Sequence, residues 1–158
     1  MNFNKISTWI IFYLVTQVAS TTGAIFSFGD DNVWYSSLNG PSMVPPGWVI
    51  GAIWTVLYIF IATSAYKLVF AESHQTKPIA LAFWSLQMVI NVIWTPVFIG
   101  AQNLELAFYY IIAMWISILM TVILAWQVDR WAGLIMVPYL IWVTFAGYLN
   151  YNYWQFNL

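Results

Sequence analysis

Three tryptophans, Trp54, Trp94 and Trp142, and two amides, Gln87 and Asn91, are the side chains of this sequence best suited to a task beyond filling space. Gln87, Asn91 and Thr95 recur at i, i+4 and i+8, which is one face of a helix, and Trp94 follows Asn91 by three residues. An indole offers a broad flat ring and one N–H that needs an acceptor once it leaves water. A carboxamide brings donor and acceptor together. Such a set can tie helices to one another, at roughly 0.6 to 2 kcal/mol per contact in a membrane. It can equally present a few polar atoms to a flat ligand inside a mostly apolar pocket. The spacing alone leaves both uses open.

Missing residue types narrow the chemistry further. The 158-residue chain has no cysteine, which excludes disulfides, thiolate catalysis and Cys-based zinc or iron–sulfur sites. Its one histidine, His74, lies in a polar stretch and reads as a solvated loop residue, so no histidine is available to hold haem within an apolar segment, although Met or Tyr ligation stays open. There is no Ser-His-Asp set and no carboxylate pair within an apolar stretch. Hydrolytic and metal-assisted reactions therefore have no residues to run on; no metal site is expected and no cofactor is required. A net charge of −1 with no basic stripe argues against a nucleic-acid partner.

The elements that hold these side chains follow from composition. The chain is 63% hydrophobic and 20% aromatic with only 6% charged residues, against roughly 25% charged in ordinary globular proteins. So few charges cannot cover a folded surface in water, so the bilayer is the solvent for most of the chain. The charges fall at Lys5, Asp30, Asp31, Lys67, Glu72, Lys77, Glu105, Asp129 and Arg130 and leave five long uncharged stretches. Each exceeds the roughly 20 apolar residues that a spanning helix needs. Period-2 alternation is absent, which removes a membrane β-barrel. The expected fold is all-α: a single domain over 1–158, a five-transmembrane-helix bundle with helices at about 6–28, 46–66, 78–100, 105–127 and 131–154 and a lid loop at about 29–45. That loop carries Gly40, Pro41, Pro45, Pro46 and Gly47, and helix two should begin near Pro46.

The first stretch resembles a secretory signal in having Lys5, an apolar run and Ala19-Ser20, but its 24 uncharged residues are long for an h-region and helix one is expected to be retained. All four Lys/Arg fall at one end of the bundle. The positive-inside rule then places the N-terminus in the cytoplasm of a multi-pass protein, with a bacterial cell membrane as the expected location. No ionisable residue lies within a span, which argues against a pump or ion-coupled carrier.

The eleven tryptophans divide by depth. Trp9, Trp34, Trp48, Trp126, Trp131 and Trp154 lie near helix ends and read as an interfacial belt; Trp84 and Trp115 are assigned to neither group. At 1.5 Å per residue, Trp54, Trp94 and Trp142 lie about 12, 13 and 16 Å below the acidic end. Three indoles on three helices at one level, beneath a Pro-rich loop, outline a pocket for a flat aromatic molecule, with the helix-three amides as acceptors. Packing alone would also collect them.

Three blocks of the chain resemble the TspO/MBR family of tryptophan-rich sensory proteins and translocator proteins. They are Trp34-Tyr35, Leu38, Pro41, Pro45-Pro46-Gly47-Trp48-Val49, Trp54 and Leu57-Tyr58; then Gln87, Asn91 and Trp94-Thr95-Pro96-Val97-Phe98; then Pro138-Tyr139-Leu140, Trp142-Val143, Phe145-Ala146 and Leu149-Asn150. The resemblance implies a five-helix bundle, usually a homodimer, that binds tetrapyrroles such as protoporphyrin IX and haem, and also sterols and benzodiazepine-type ligands. It implies either a receptor or transporter-like role in tetrapyrrole metabolism or stress response, or light- and oxygen-dependent degradation of protoporphyrin, for which Trp54 and Trp142 align with the family's catalytic tryptophans. The expected ligand-binding set is Trp54, Gln87, Asn91, Trp94 and Trp142, joined by Trp34, Pro45, Tyr58, Tyr139 and Ala146 from the matching blocks. Two departures stand out. Gly40 and Met43 occupy places where the family commonly has Lys and an aromatic, which weakens the case for a carboxylated ligand. No Lys or Arg follows Arg130, so the cholesterol-recognition pattern of animal members is incomplete. Small residues on helix one, Ala19 with Gly23 and Ser20 with Ala24, offer close-packing faces without specifying a dimer interface.

Overall fold

Helix boundaries fall where proline and side-chain caps put them. In the computed structural model, which describes residues 3–28 and 32–158, the elements are α1 (Phe3–Phe28), α2 (Asn32–Ser37), α3 (Gly47–Phe70), α4 (Lys77–Thr95), a π-helical turn (Pro96–Gly100), α5 (Leu104–Val128), α6 (Arg130–Leu134) and α7 (Val137–Phe156). α3 starts immediately after Pro46, whose carbonyl accepts from Val49 and Ile50 N–H at 2.9 and 3.2 Å. Pro78 lies in the first turn of α4, where a missing N–H costs nothing. Asn103 caps α5, its Oδ1 accepting from Leu106 N–H at 2.9 Å, and Asp129 caps α6 by accepting from Trp131 and Ala132 N–H at 2.8 and 3.0 Å. At the other end of α3, Lys77 Nζ donates to the carbonyls of Val69 and Ala71 at 2.7 and 2.9 Å. A cation there satisfies acceptors that the helix itself leaves unpaired.

Five segments are long and apolar enough to cross a membrane: Asn4–Phe26, Gly47–Phe70, Lys77–Gly100, Leu104–Val128 and Arg130–Phe156. The protein is therefore an all-helical, five-span integral membrane protein. Three local features differ from the simple reading. The segment expected as loop over 29–45 contains α2, while Asp30 and Asp31 lie outside the described residues. Helix three widens at Pro96, which has no N–H to donate, and Ala101 N–H reaches back five residues to the Pro96 carbonyl at 2.8 Å. The fifth span is broken at Ile135–Met136, because Pro138 removes the donor that would have continued the helix through Leu134.

Packing is uneven. α4 lies most extensively on α5, α5 on α7 and α1 on α3, whereas α3 and α7 scarcely touch. The main core gathers Tyr58, Ile61, Trp84, Met88, Ile118 and Tyr139 from four spans. A second cluster at the acidic end centres on Phe98 and Tyr153. α6 turns across α5 at backbone contact: a methyl on Gly133 would sit 2.8 Å from the Val122 carbonyl oxygen and the Trp126 nitrogen. Large apolar side chains such as Ile11, Leu14, Val56 and Ile141 face outward, as hydrocarbon solvent requires.

Candidate functional site

The interior amides are consumed by tyrosines. Asn91 Nδ2 donates to the Tyr139 hydroxyl at 2.8 Å, that hydroxyl donates to Gln87 Oε1 at 2.9 Å, and the Tyr58 hydroxyl donates to Asn91 Oδ1 at 3.4 Å. Gln87 Nε2 closes the set on the Trp84 carbonyl at 2.8 Å, and Trp84 Nε1 donates to the Ile61 carbonyl at 2.9 Å. The network joins α3, α4 and α7 and is sealed, with Gln87 and Tyr139 both at 0% exposure. Of the two uses open to these amides, they serve the interhelical one. Trp54 rests on the network, its ring stacked on Tyr58 at 5.3 Å and edge-on to Tyr139 at 5.9 Å.

Trp94 belongs to a different neighbourhood. Its Nε1 donates to Asn150 Oδ1 at 3.3 Å, so its acceptor comes from α7 and not from a helix-three amide. Asn150 in turn donates to the Leu104 carbonyl at 2.9 Å. The Trp94 ring stacks on Phe98 at 5.0 Å, and Phe98 also meets Trp34, Tyr35 and Tyr153. This cluster seals the acidic end. The Tyr35 and Tyr153 hydroxyls share a hydrogen bond of 2.9 Å, and Asn157 ties down Asn39 by accepting from its N–H and donating to its carbonyl, both at 2.9 Å. Burial first, then the Tyr153 hydrogen bond, pushes the Tyr35 hydroxyl above its ordinary range and keeps it protonated. Gly40 lies flat on Tyr153, where a methyl would come within 2.8 Å of the hydroxyl oxygen. The absence of a side chain at Gly40 thus lets the loop close against α7.

An open cleft of about 610 Å³ lies between α3 and α7. Ala52, Ile53, Val56, Leu57 and Phe60 form one wall, and Pro138, Ile141, Trp142 and Phe145 form the other. Small-molecule sites span roughly 300 to 1,000 Å³. Every lining side chain is apolar apart from the indole N–H of Trp142. That Nε1 is buried and, alone among the buried side-chain nitrogens and oxygens of the described residues, has no hydrogen-bond partner. A donor held this way forgoes the net value of a hydrogen bond and carries a desolvation cost.

The expected pocket of three convergent indoles is therefore divided in space. Trp54, Tyr58, Gln87, Asn91 and Tyr139 form one contiguous group, Trp142 lines the neighbouring cleft, and Ala146 packs on the same core. Trp94 and Trp34 serve the acidic-end cluster, and Pro45 is half-buried at the end of the loop. Phe60 and Ile141 were not singled out by sequence, and Phe145 appeared there only within a matching block, because on helices that are apolar all round a cleft-facing stripe looks like every other stripe. Trp48, Trp126 and Trp131 are exposed near helix ends, as belt residues are. Trp84 and Trp115, unassigned by depth, prove to be ties between helices, the latter donating to Thr144 Oγ1 at 2.8 Å. His74 is exposed and contacts Thr76 within the α3–α4 loop.

Comparison with known proteins agrees with this architecture. The chain is 39% identical to Protein CrtK of Rhodobacter capsulatus over 97% of its own length and 94% of that protein. It is 35% identical to the tryptophan-rich sensory protein of Cereibacter sphaeroides, covering 94% of this chain and 90% of the other. It is 30% identical to the human translocator protein, covering 92% and 88% respectively. The TspO/MBR family model matches residues 10–155, which reaches into all five spans and takes in the acidic-end loop and both walls of the cleft, and the chain belongs to that family.

Proposed function

We propose that the protein binds tetrapyrroles such as protoporphyrin IX or haem, and similar flat hydrophobic molecules, in the α3–α7 cleft, as a receptor or transporter-like component of tetrapyrrole metabolism or stress response. The observation that carries the reading is an apolar cleft of about 610 Å³ walled by an indole whose buried N–H has no partner. Aromatic walls from Phe60, Trp142 and Phe145 suit the face of a macrocycle. A ring nitrogen or carbonyl that met Trp142 Nε1 would relieve its missing hydrogen bond. Relatives named as sensory and translocator proteins agree with a ligand-responsive role. Sterols and benzodiazepine-type compounds are secondary candidates for the same space. A homodimer in a bacterial cell membrane, with the N-terminus cytoplasmic, completes the proposal.

Titrating the purified protein with protoporphyrin IX while following tryptophan fluorescence tests it. Saturable quenching is expected in the wild type, with affinity weakened several-fold in Trp142→Phe. Absence of saturable quenching in the wild type sinks the reading. A second reading, light- and oxygen-dependent breakdown of the bound macrocycle, draws support from the oxidisable Trp142 in the cleft wall and from Trp54 beside the wall residue Ile53. The macrocycle supplies the excited state in that scheme. Illumination of bound porphyrin in air should then bleach it faster in the wild type than in a double variant carrying Trp54→Phe and Trp142→Phe.

A further inference from the structure

We infer that ligands enter and leave the cleft sideways, from the hydrocarbon of the bilayer through the gap between α3 and α7, and that the cleft takes them in uncharged form. The identity of the ligand as a macrocycle rests on the tetrapyrrole reading; the lateral opening does not.

Closure of the acidic end is the first argument. Phe98, 4% exposed, is packed by Trp34, Tyr35, Trp94 and Tyr153, and the loop above is latched by the reciprocal Asn39–Asn157 hydrogen bonds. A path under the loop would have to break this cluster. Depth and exposure form the second argument. Val56 and Ile141, which line opposite walls, are 49% and 65% exposed. At 1.5 Å per residue, on the scale used for Trp54 and Trp142, they lie about 15 and 18 Å below the acidic end, inside a hydrocarbon core of roughly 30 Å. What they are exposed to is therefore lipid. Packing supplies the third argument: α3 leans on α1 and α7 on α5, and the two meet mainly through Trp54, Tyr58 and Tyr139, so few backbone contacts bridge the cleft between them.

Charge decides the form of the ligand. The wall residues include no cation, and the described spans hold none at mid-depth. Lys67 is paired with Asp129 at 3.1 Å and Lys77 caps α3, both at the basic end. A carboxylate carried into the cleft would find no partner at a depth where an unpaired charge is costly. An ester or a protonated acid meets no such penalty.

Two measurements in bilayers test the inference. The first compares wild type with Trp142→Phe in ordinary lipid and in lipid brominated at mid-chain, where the difference emission isolates Trp142. Loss of that difference in brominated lipid is expected, and an undiminished difference overturns lateral opening. The second follows binding of protoporphyrin IX and of its dimethyl ester, at matched bilayer concentrations. The ester should bind at least about tenfold tighter, as an unpaired carboxylate at depth requires. Ile141→Trp, a change at an outward-facing position, should slow association and release together, while Asn157→Ala, which unlatches the loop, should leave both rates unchanged. Faster exchange in Asn157→Ala with no effect of Ile141→Trp would place the route under the loop and overturn the inference, as would equal affinity for diacid and ester. Bromine quenching of Trp142 with no binding of either porphyrin supports the lateral opening and refutes the tetrapyrrole reading instead.

Discussion

Trp84 and Trp142 are both interior indoles, yet one has an acceptor and the other has none, and that difference sets opposite expectations for the same substitution. Trp84→Phe removes the hydrogen bond to the Ile61 carbonyl and leaves that oxygen one partner short. Trp142→Phe removes only a donor that was already unpaired. In ligand-free protein, thermal unfolding in mild detergent should show Trp84→Phe destabilised by about 1 to 3 kcal/mol and Trp142→Phe close to wild type. Tyr139→Phe should fall with Trp84→Phe, because its hydroxyl both receives from Asn91 and donates to Gln87. Equal losses for Trp142→Phe and Trp84→Phe would mean that the Trp142 N–H is satisfied in the membrane. Much of this was legible in the sequence: one helical face carries Gln87 and Asn91, and depth singled out Trp54 and Trp142. Which partner each group takes was not legible, because Asn91 and Asn150 lie within reach of several hydroxyls and indoles, and only the rotation of each helix about its axis decides among them.

Among the elements, the α5–α6 junction concentrates the most electrostatics. Asp129 caps α6 with one carboxylate oxygen and holds Lys67 with the other, so it ties the end of α3 to the turn between the fourth and fifth spans. Burial raises its pKa more than any other single influence, but the N–H groups of Ala132 and Trp131 and the Lys67 ammonium together outweigh it and hold the carboxyl below 3.8. A depressed carboxyl stabilises the fold fully above its unfolded value, and that contribution is lost as pH falls through the folded one. Asp129→Asn keeps the cap and removes the charge, so its stability should lose the acid-side dependence that the wild type shows below about pH 4. Asp129→Ala loses the cap as well and should cost a further 0.5 to 2 kcal/mol or about that. Equal melting temperatures for the two variants would assign no role to the cap. The span boundaries themselves were legible because charges and prolines mark them. The π-helical turn after Thr95 and the break at Ile135–Met136 were not. Pro96 and Pro138 announce a lost donor without saying whether the helix widens, bends or restarts, and packing against Phe26 and α5 settles that.

Across the five spans together, the four basic residues at one end give the bundle a polarity that can be tested directly. The chain contains no cysteine, so a single introduced thiol is the only one present. With the N-terminus cytoplasmic, Met43→Cys in the acidic-end loop should react with a membrane-impermeant maleimide in intact cells, and Gln75→Cys in the α3–α4 loop only after permeabilisation. The reverse pattern would invert the assigned topology. Span count and orientation signal were readable from charges alone, since charge is the scarcest commodity in this composition. The cleft was not readable, because it arises where two apolar helices fail to pack along part of their length. That failure has a consequence for every affinity measured on this protein. A gap open to hydrocarbon is filled by whatever chain the surroundings supply, so a binding constant here describes an exchange, ligand in and acyl tail or detergent out. The medium acts as a competitor at a concentration fixed by its own density. Ligand rankings obtained in one detergent will therefore shift in another, and in native lipid they will follow chain length and unsaturation as much as the fit of the ligand itself.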